Sequence, residues 1–292
     1  MKRILLSAAV TALLVAPLAC NFDQLLAEKV MVGTLLSTPD VDVSLVAMSG
    51  LDAGTLPDGG IPPGEERITI PGQTEAFVFF ATRDGEQGTP EPLSDATVRI
   101  EIQNGGSLAL EKQGEDTGMY SLKSDYGDDA GVKYVNGATY NFVAVHGGNS
   151  HVGQVKDAPA LERIEALHPA GGYVRHAANQ SLTLRRPTES GGKPLTLGFV
   201  TVVPLDMEGR KGAITYTNMP KEPLDFLQLV TATGEWQQEI LSIPGTAFPQ
   251  KDSNYLVIFQ TAQLGGPQSD NLFTGSTLLV GTADIGLVHT LE

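Results

Sequence analysis

The sequence predicts an all-β protein: two tandem antiparallel β-sandwiches behind a removable N-terminal segment. Three observations lead there. Gly (33) and Pro (18) are abundant and charged residues make up only 18% of the chain, a mixture that suits short strands joined by turns better than long helices. Apolar or alternating runs of five to eight residues recur along the chain with turn signals between them. The length, 292 residues with 41% hydrophobic, exceeds what one sandwich needs, gives room for two cores, and excludes generic disorder.

The N-terminus is read first. Lys2 and Arg3 precede residues 4–19, sixteen residues without a charge. That is short of the roughly 20 residues a helix needs to cross a bilayer, and fits a signal-peptide core. Cys20 follows at once and is the only cysteine, so no disulfide forms within the chain. A lone cysteine at the end of such a core resembles the signal of bacterial exported lipoproteins. Ala19 fits the small residue of that pattern; Leu18 stands one place later than its usual Leu, and Pro17 takes that place. The resemblance implies that residues 1–19 are removed and that Cys20 carries a diacylglyceryl group and an amide-linked acyl chain, an anchor strong enough to hold a protein on its membrane. Asn21, where Asp would mark inner-membrane retention, implies the outer membrane. The alternative is ordinary signal cleavage with Cys20 incidental, for which Pro17 is a poor residue three before the cut.

The formal net charge is −15, and loss of Lys2 and Arg3 leaves about −17. Such a surface repels nucleic acid and anionic membranes, and keeps an exported domain soluble.

Residues 20–36 read as a tether, with a short helix around Leu25 and Leu26 or a first strand over 29–36. Residues 37–160 form the first expected sandwich. Its strands lie at 41–48, 75–82, 97–103, 107–111, 119–123, 138–146 and 153–155, with a further short edge strand at 68–70. The clean alternation of Val98, Ile100 and Ile102 against Arg99 and Glu101 marks a half-buried antiparallel strand. Residues 50–72 hold ten Gly or Pro in 23 positions and read as a long loop. After a brief linker helix over 161–167, residues 161–292 form the second sandwich, with strands at 181–185, 195–204, 213–217, 226–231, 237–243, 254–260, 277–280 and 285–290.

Val135-Asn136-Gly137-Ala138-Thr139-Tyr140, followed by Phe142 and Val143, resembles the tyrosine corner of immunoglobulin and fibronectin type III folds, in which a tyrosine hydroxyl bonds back to the backbone a few residues upstream. Tyr255 occupies the corresponding place in the second half. The resemblance implies two immunoglobulin-like units, and at fold level it implies no function.

Few residues suggest chemistry. Asp125, Asp128 and Asp129 cluster with two glycines, a composition that suits calcium, although the spacing is not that of an EF-hand; the other reading is a solvated turn. Trp236, the only Trp, follows Gly234-Glu235 and is the one aromatic expected to be exposed at a strand start as a ligand platform. Ser150 and His151 in a Gly-rich stretch lack the second glycine of a nucleophile elbow and read as a hairpin. His168 and His176 flank a Gly-Gly turn without a metal-site pattern. No catalytic residue and no cofactor beyond the Cys20 lipid is expected. The chain reads as a non-enzymatic envelope lipoprotein that docks other envelope proteins; the alternative is a module for a glycan or small ligand, with calcium. If lipid is the anchor, Cys20→Ser should move the protein from membranes to the soluble fraction on cell fractionation, and continued retention would refute the anchor.

Overall fold

The computed structural model describes residues 22–44, 48, 67–83, 90–103, 105–122, 134–170, 172–187, 194–231 and 233–291. The chain is all-β, with few and short helices. A five-residue helix, α1 (Phe22–Leu26), leads into β1 (Lys29–Thr38), β2 (Val41–Ser44), β3 (Arg67–Ile70) and β4 (Gln73–Thr82). Next come β5 (Glu91–Pro92), β6 (Thr97–Ile102), β7 (Ser107–Gln113), β8 (Met119–Ser121), β9 (Tyr140–His146) and β10 (Asn149–Val155). Then follow β11 (Val174–Ala177), β12 (Leu182–Arg185), β13 (Leu197–Leu205), β14 (Tyr216–Thr217), β15 (Ile240–Ile243), β16 (Asn254–Pro267) and β17 (Thr277–Leu291).

Most strands join into one large mixed sheet in the order β11-β17-β1-β4-β8-β7-β6-β9-β10-β16-β13-β14, while β2–β3 and β12–β15 form separate pairs. Because β16 also pairs with β17, the stretch from β17 round to β16 closes on itself as a ring. Alternation along its strands sorts the side chains by face. Met31 and Leu35 of β1, Ala76, Val78 and Phe80 of β4, Val98, Ile100 and Ile102 of β6, and Tyr140 and Phe142 of β9 share one buried core. The intervening Val30, Val32, Phe79 and Ala81 pack on the other face, against Leu197, Phe199, Phe226 and Leu229.

Beyond the ring, β16 and β17 continue with β13, β14 and β11 as a second sheet. One face carries Val200, Val202, Tyr255, Val257, Phe259 and Val288 against the antiparallel β12–β15 pair. The other carries Leu205, Leu256 and Leu287 against Val43 and Ile70 of the β2–β3 pair. The boundary expected between residues 160 and 161 is therefore spanned by hydrogen-bonded ladders: β1 runs parallel to β17, and β10 meets β16.

Three expected elements are corrected. Residues 277–280 and 285–290 are not separate strands but one, β17, of 15 residues. At Gly281 a Cβ would lie 2.2 Å from the Thr261 carbonyl oxygen of β16, so the close approach of the two strands requires glycine. Residues 226–231 are helical, as a 3₁₀ turn Pro223–Leu227 and α2 (Gln228–Thr231). Pro223 opens that turn with its fixed φ, and Phe226 and Leu229, three apart, point together into the core. Residues 161–167 hold only a 3₁₀ turn, Glu165–Leu167. The Ser150-His151 stretch is the expected hairpin: β9 and β10 pair across Gly147 and Gly148, both at positive φ (56° and 78°), as a two-residue hairpin requires.

The tyrosine corner forms. The Val135 N–H donates to the Tyr140 hydroxyl at 2.8 Å, and in the second half the Gln250 N–H donates to the Tyr255 hydroxyl at 3.1 Å, the same five residues upstream. Both rings are fully buried. Tyr140→Phe and Tyr255→Phe should each lower stability by about 1 kcal/mol in chemical denaturation, and, lying in separate cores, should add in the double variant.

Candidate functional site

A cleft of about 440 Å³ lies where the ring meets the second sheet. Its floor is the β13–β16–β17 face, with Thr201, Val203, Ile258, Gln260 and Ile285. One wall is the end of β1 and the start of β4, with Leu36, Thr38, Gln73 and Glu75; Val41 and Ile70 of β2 and β3 add to it. The opposite rim is the segment around β14, with Lys211, Ile214, Thr217, Met219 and Lys221. The cleft arises because the faces of β1 and β4 and of β2 and β3 cover the two ends of the floor and leave its middle open.

The polar groups in the cleft are incompletely used. The Thr201 and Thr217 hydroxyls share one hydrogen bond at 3.0 Å, and the Met219 N–H donates to Thr217. Glu75 accepts from Gln73 Nε2 at 2.6 Å. Gln260 Oε1 is buried and has no hydrogen-bond partner among the described residues. A buried acceptor without a donor is costly, and such a group in a cleft is a sign of a ligand contact. Among the described residues, the cleft is lined by no aromatic ring and by no His, Cys or Ser.

Three other polar clusters serve the fold. Arg186, with 1% of its surface exposed, gives two hydrogen bonds to the Glu162 carboxylate at 2.9 and 2.7 Å and one each to the Thr196 carbonyl and hydroxyl. The Thr261 hydroxyl adds a bond to Glu162 at 2.6 Å. Burial alone would raise the Glu162 carboxyl; the bonds from Arg186, Thr196 and Thr261 outweigh it and hold it below the usual range. Asp284 of β17 accepts from the Ile164 N–H at 2.7 Å and pairs with His168 at 2.8 Å. His168 and His176 therefore have different partners, since His176 bonds the Gln180 carbonyl. The third cluster surrounds buried His289, whose Nδ1 meets Asn254 Oδ1 at 3.0 Å. Burial pushes His289 below its ordinary value; Asp252 opposes this and Arg175 adds to it. His151, buried beside the Asn271 carbonyl, is also pushed down, chiefly by burial.

Of the residues singled out in the sequence, Cys20, Asp125, Asp128 and Asp129 lie outside the described residues. Trp236 sits in a short helix, α3 (Thr233–Trp236), not at a strand start. It is half-buried rather than exposed, packs against Phe199 with ring centroids 6.5 Å apart, and donates its indole N–H to the Asn218 carbonyl. No member of the cleft was singled out, and the one signal in the sequence was a polar residue in an otherwise apolar row. No protein-family model matches the chain, and no curated protein matches it either.

A histidine held neutral by the fold binds fewer protons folded than unfolded, so stability falls as pH drops below about 6.5, the unfolded value, toward the depressed folded value. Above about 6.5 neither state is protonated and the term vanishes. His289→Gln should flatten the loss of melting temperature between pH 7 and pH 5, with His151 sustaining part of it; an unchanged slope would remove His289 from that account.

Proposed function

We propose that this chain is an exported, lipid-anchored, non-enzymatic β protein of the cell envelope that binds a small ligand in the cleft between its ring and its second sheet. The observation that carries this reading is a ligand-sized cavity whose floor holds the unpartnered Gln260 carboxamide oxygen. The polar groups described there are amide, hydroxyl, ammonium and one carboxylate, which suits holding a molecule rather than attacking it.

The Cys20 signal supports the anchor, and Asn21 supports the outer membrane. β1 begins nine residues after Cys20 in the sequence, and the cleft meets the far end of that strand at Leu36 and Thr38. At about 3.3 Å per residue the strand carries the cleft about 30 Å from Lys29. The paired tyrosine hydrogen bonds support reading the halves as immunoglobulin-like units fused through β16 and β17.

A second reading, docking of other envelope proteins, is favoured by a different surface. Leu161, Leu195 and Ile240 are exposed (49%, 86% and 53%) although each adjoins a residue fixed around Arg186. Rigidly held exposed aliphatics suit a protein partner.

One purification separates the readings. The full chain, taken from native membranes in mild detergent, should carry a non-covalent small molecule released on denaturation and seen by mass spectrometry. Ile214→Glu, at an exposed position of the rim, should lose it. A stoichiometric protein companion retained by Ile214→Glu, with no small molecule, would replace ligand binding by docking.

A further inference from the structure

We infer that the ligand of the cleft is an aliphatic carboxylate, held by Lys211 and Lys221 over an apolar floor; this rests on the cleft being a ligand site.

Charge gives the first argument. The chain carries 34 acidic and 19 basic residues, yet among the described lining residues two are lysines and one, Glu75, is acidic. Glu75 is already bonded to Gln73, while no hydrogen bond or ion pair engages either lysine side chain among the described residues. The local sign is thus opposite to that of the molecule, and an anion drawn to the cleft meets two free ammonium groups.

The walls give the second. Leu36, Val41, Ile70, Val203, Ile258 and Ile285 are aliphatic, and no described lining residue is aromatic. Sugars and flat rings gain from aromatic faces, which are missing here; an alkyl chain needs only apolar area. A cavity of about 440 Å³ falls in the range of small-ligand sites, roughly 300–1,000 Å³.

Gln260 gives the third. Its Oε1 has no partner, and a carboxamide can turn over to present its amino group instead. With Nε2 turned toward the ligand it donates to a carboxylate oxygen and adds a polar contact inside an apolar row.

The test is calorimetric titration of the full-length protein in mild detergent with octanoate, 1-octanol and octylamine, which share a chain and differ in head group. Octanoate should bind at least about tenfold more tightly than the other two. The double variant Lys211→Gln/Lys221→Gln, at exposed positions that should leave folding intact, should reduce octanoate affinity about tenfold and leave octanol unchanged. Equal binding of octanoate and octanol, tighter binding of octylamine, or a double variant that holds octanoate as well as the parent would overturn the carboxylate and leave the cleft as a site of other specificity. If none of the three binds, the cleft itself fails as the ligand site.

Discussion

The structure depends on the antiparallel ladder between β16 and β17. Twelve residue pairs, from Asn254 opposite His289 to Gly265 opposite Leu278, hold the two longest strands together. Every other part of the sheet reaches this ladder. β1 joins β17 in parallel and brings β4 with it; β10 joins the far end of β16; β13 and β11 flank the near halves. A strand pair of that length cannot serve one sandwich alone. Its first half of β17 and last part of β16 close the ring, and the remainder forms the centre of the second sheet, so two cores share one backbone. Separating them would strip a row of N–H and C=O groups along β1 and β17.

The ladder also explains where buried charge is placed. Glu162 lies in the segment that leaves the ring after β10, and it is tied to Thr261 of β16 and to Arg186 after β12. Asp284 of β17 ties down Ile164 and His168 of the same segment. Two carboxylates thus fasten the crossing chain to the two central strands. Arg186 is shielded from solvent and the pair is fully hydrogen-bonded, so removing Glu162 would strand a buried charge at about 3–5 kcal/mol, whereas the net contribution of the pair over an apolar one is small. Its value is in fixing the path of the crossing segment.

Much of the fold was legible where local rules and tertiary packing agree. The alternation in β6, the buried run in β4, the glycine hairpin between β9 and β10 and the tyrosine corner at Tyr140 all follow from side-chain period and turn chemistry. The misreadings have one cause: local signals that long-range contacts override. Residues 277–280 and 285–290 read as separate strands, yet Gly281 between them lets one continuous β17 approach Thr261. The apolar run 226–231 reads as a strand until Pro223 and the pocket above Phe199 make it helical. Trp236 reads as exposed because its neighbours are polar, and is covered because Phe199, 37 positions earlier, lies beneath it. Pairing of β1 with β17 joins residues about 245 apart, which no local pattern encodes.

The cleft illustrates the limit from the other direction. On the face of β13 that meets the ring, the residues are Leu197, Phe199, Thr201, Val203 and Leu205; on β16 they are Leu256, Ile258, Gln260, Ala262 and Leu264. Each row is apolar except at one place. A core-facing row selected only for packing would hold a Val or Leu there, since a buried hydroxyl or amide must find a partner. Thr201 finds half of one in Thr217, and the Gln260 oxygen finds none among the described residues. Departures from the consistent pattern concentrate at functional positions, and these two stand on neighbouring strands, Gln260 opposite Phe199 and Thr201 opposite Ile258. The register brings them to one spot, the middle of the floor, where both flanking cores stop short. The polar residues and the gap above them are one feature: the sheet leaves open the place where its sequence declines to pack.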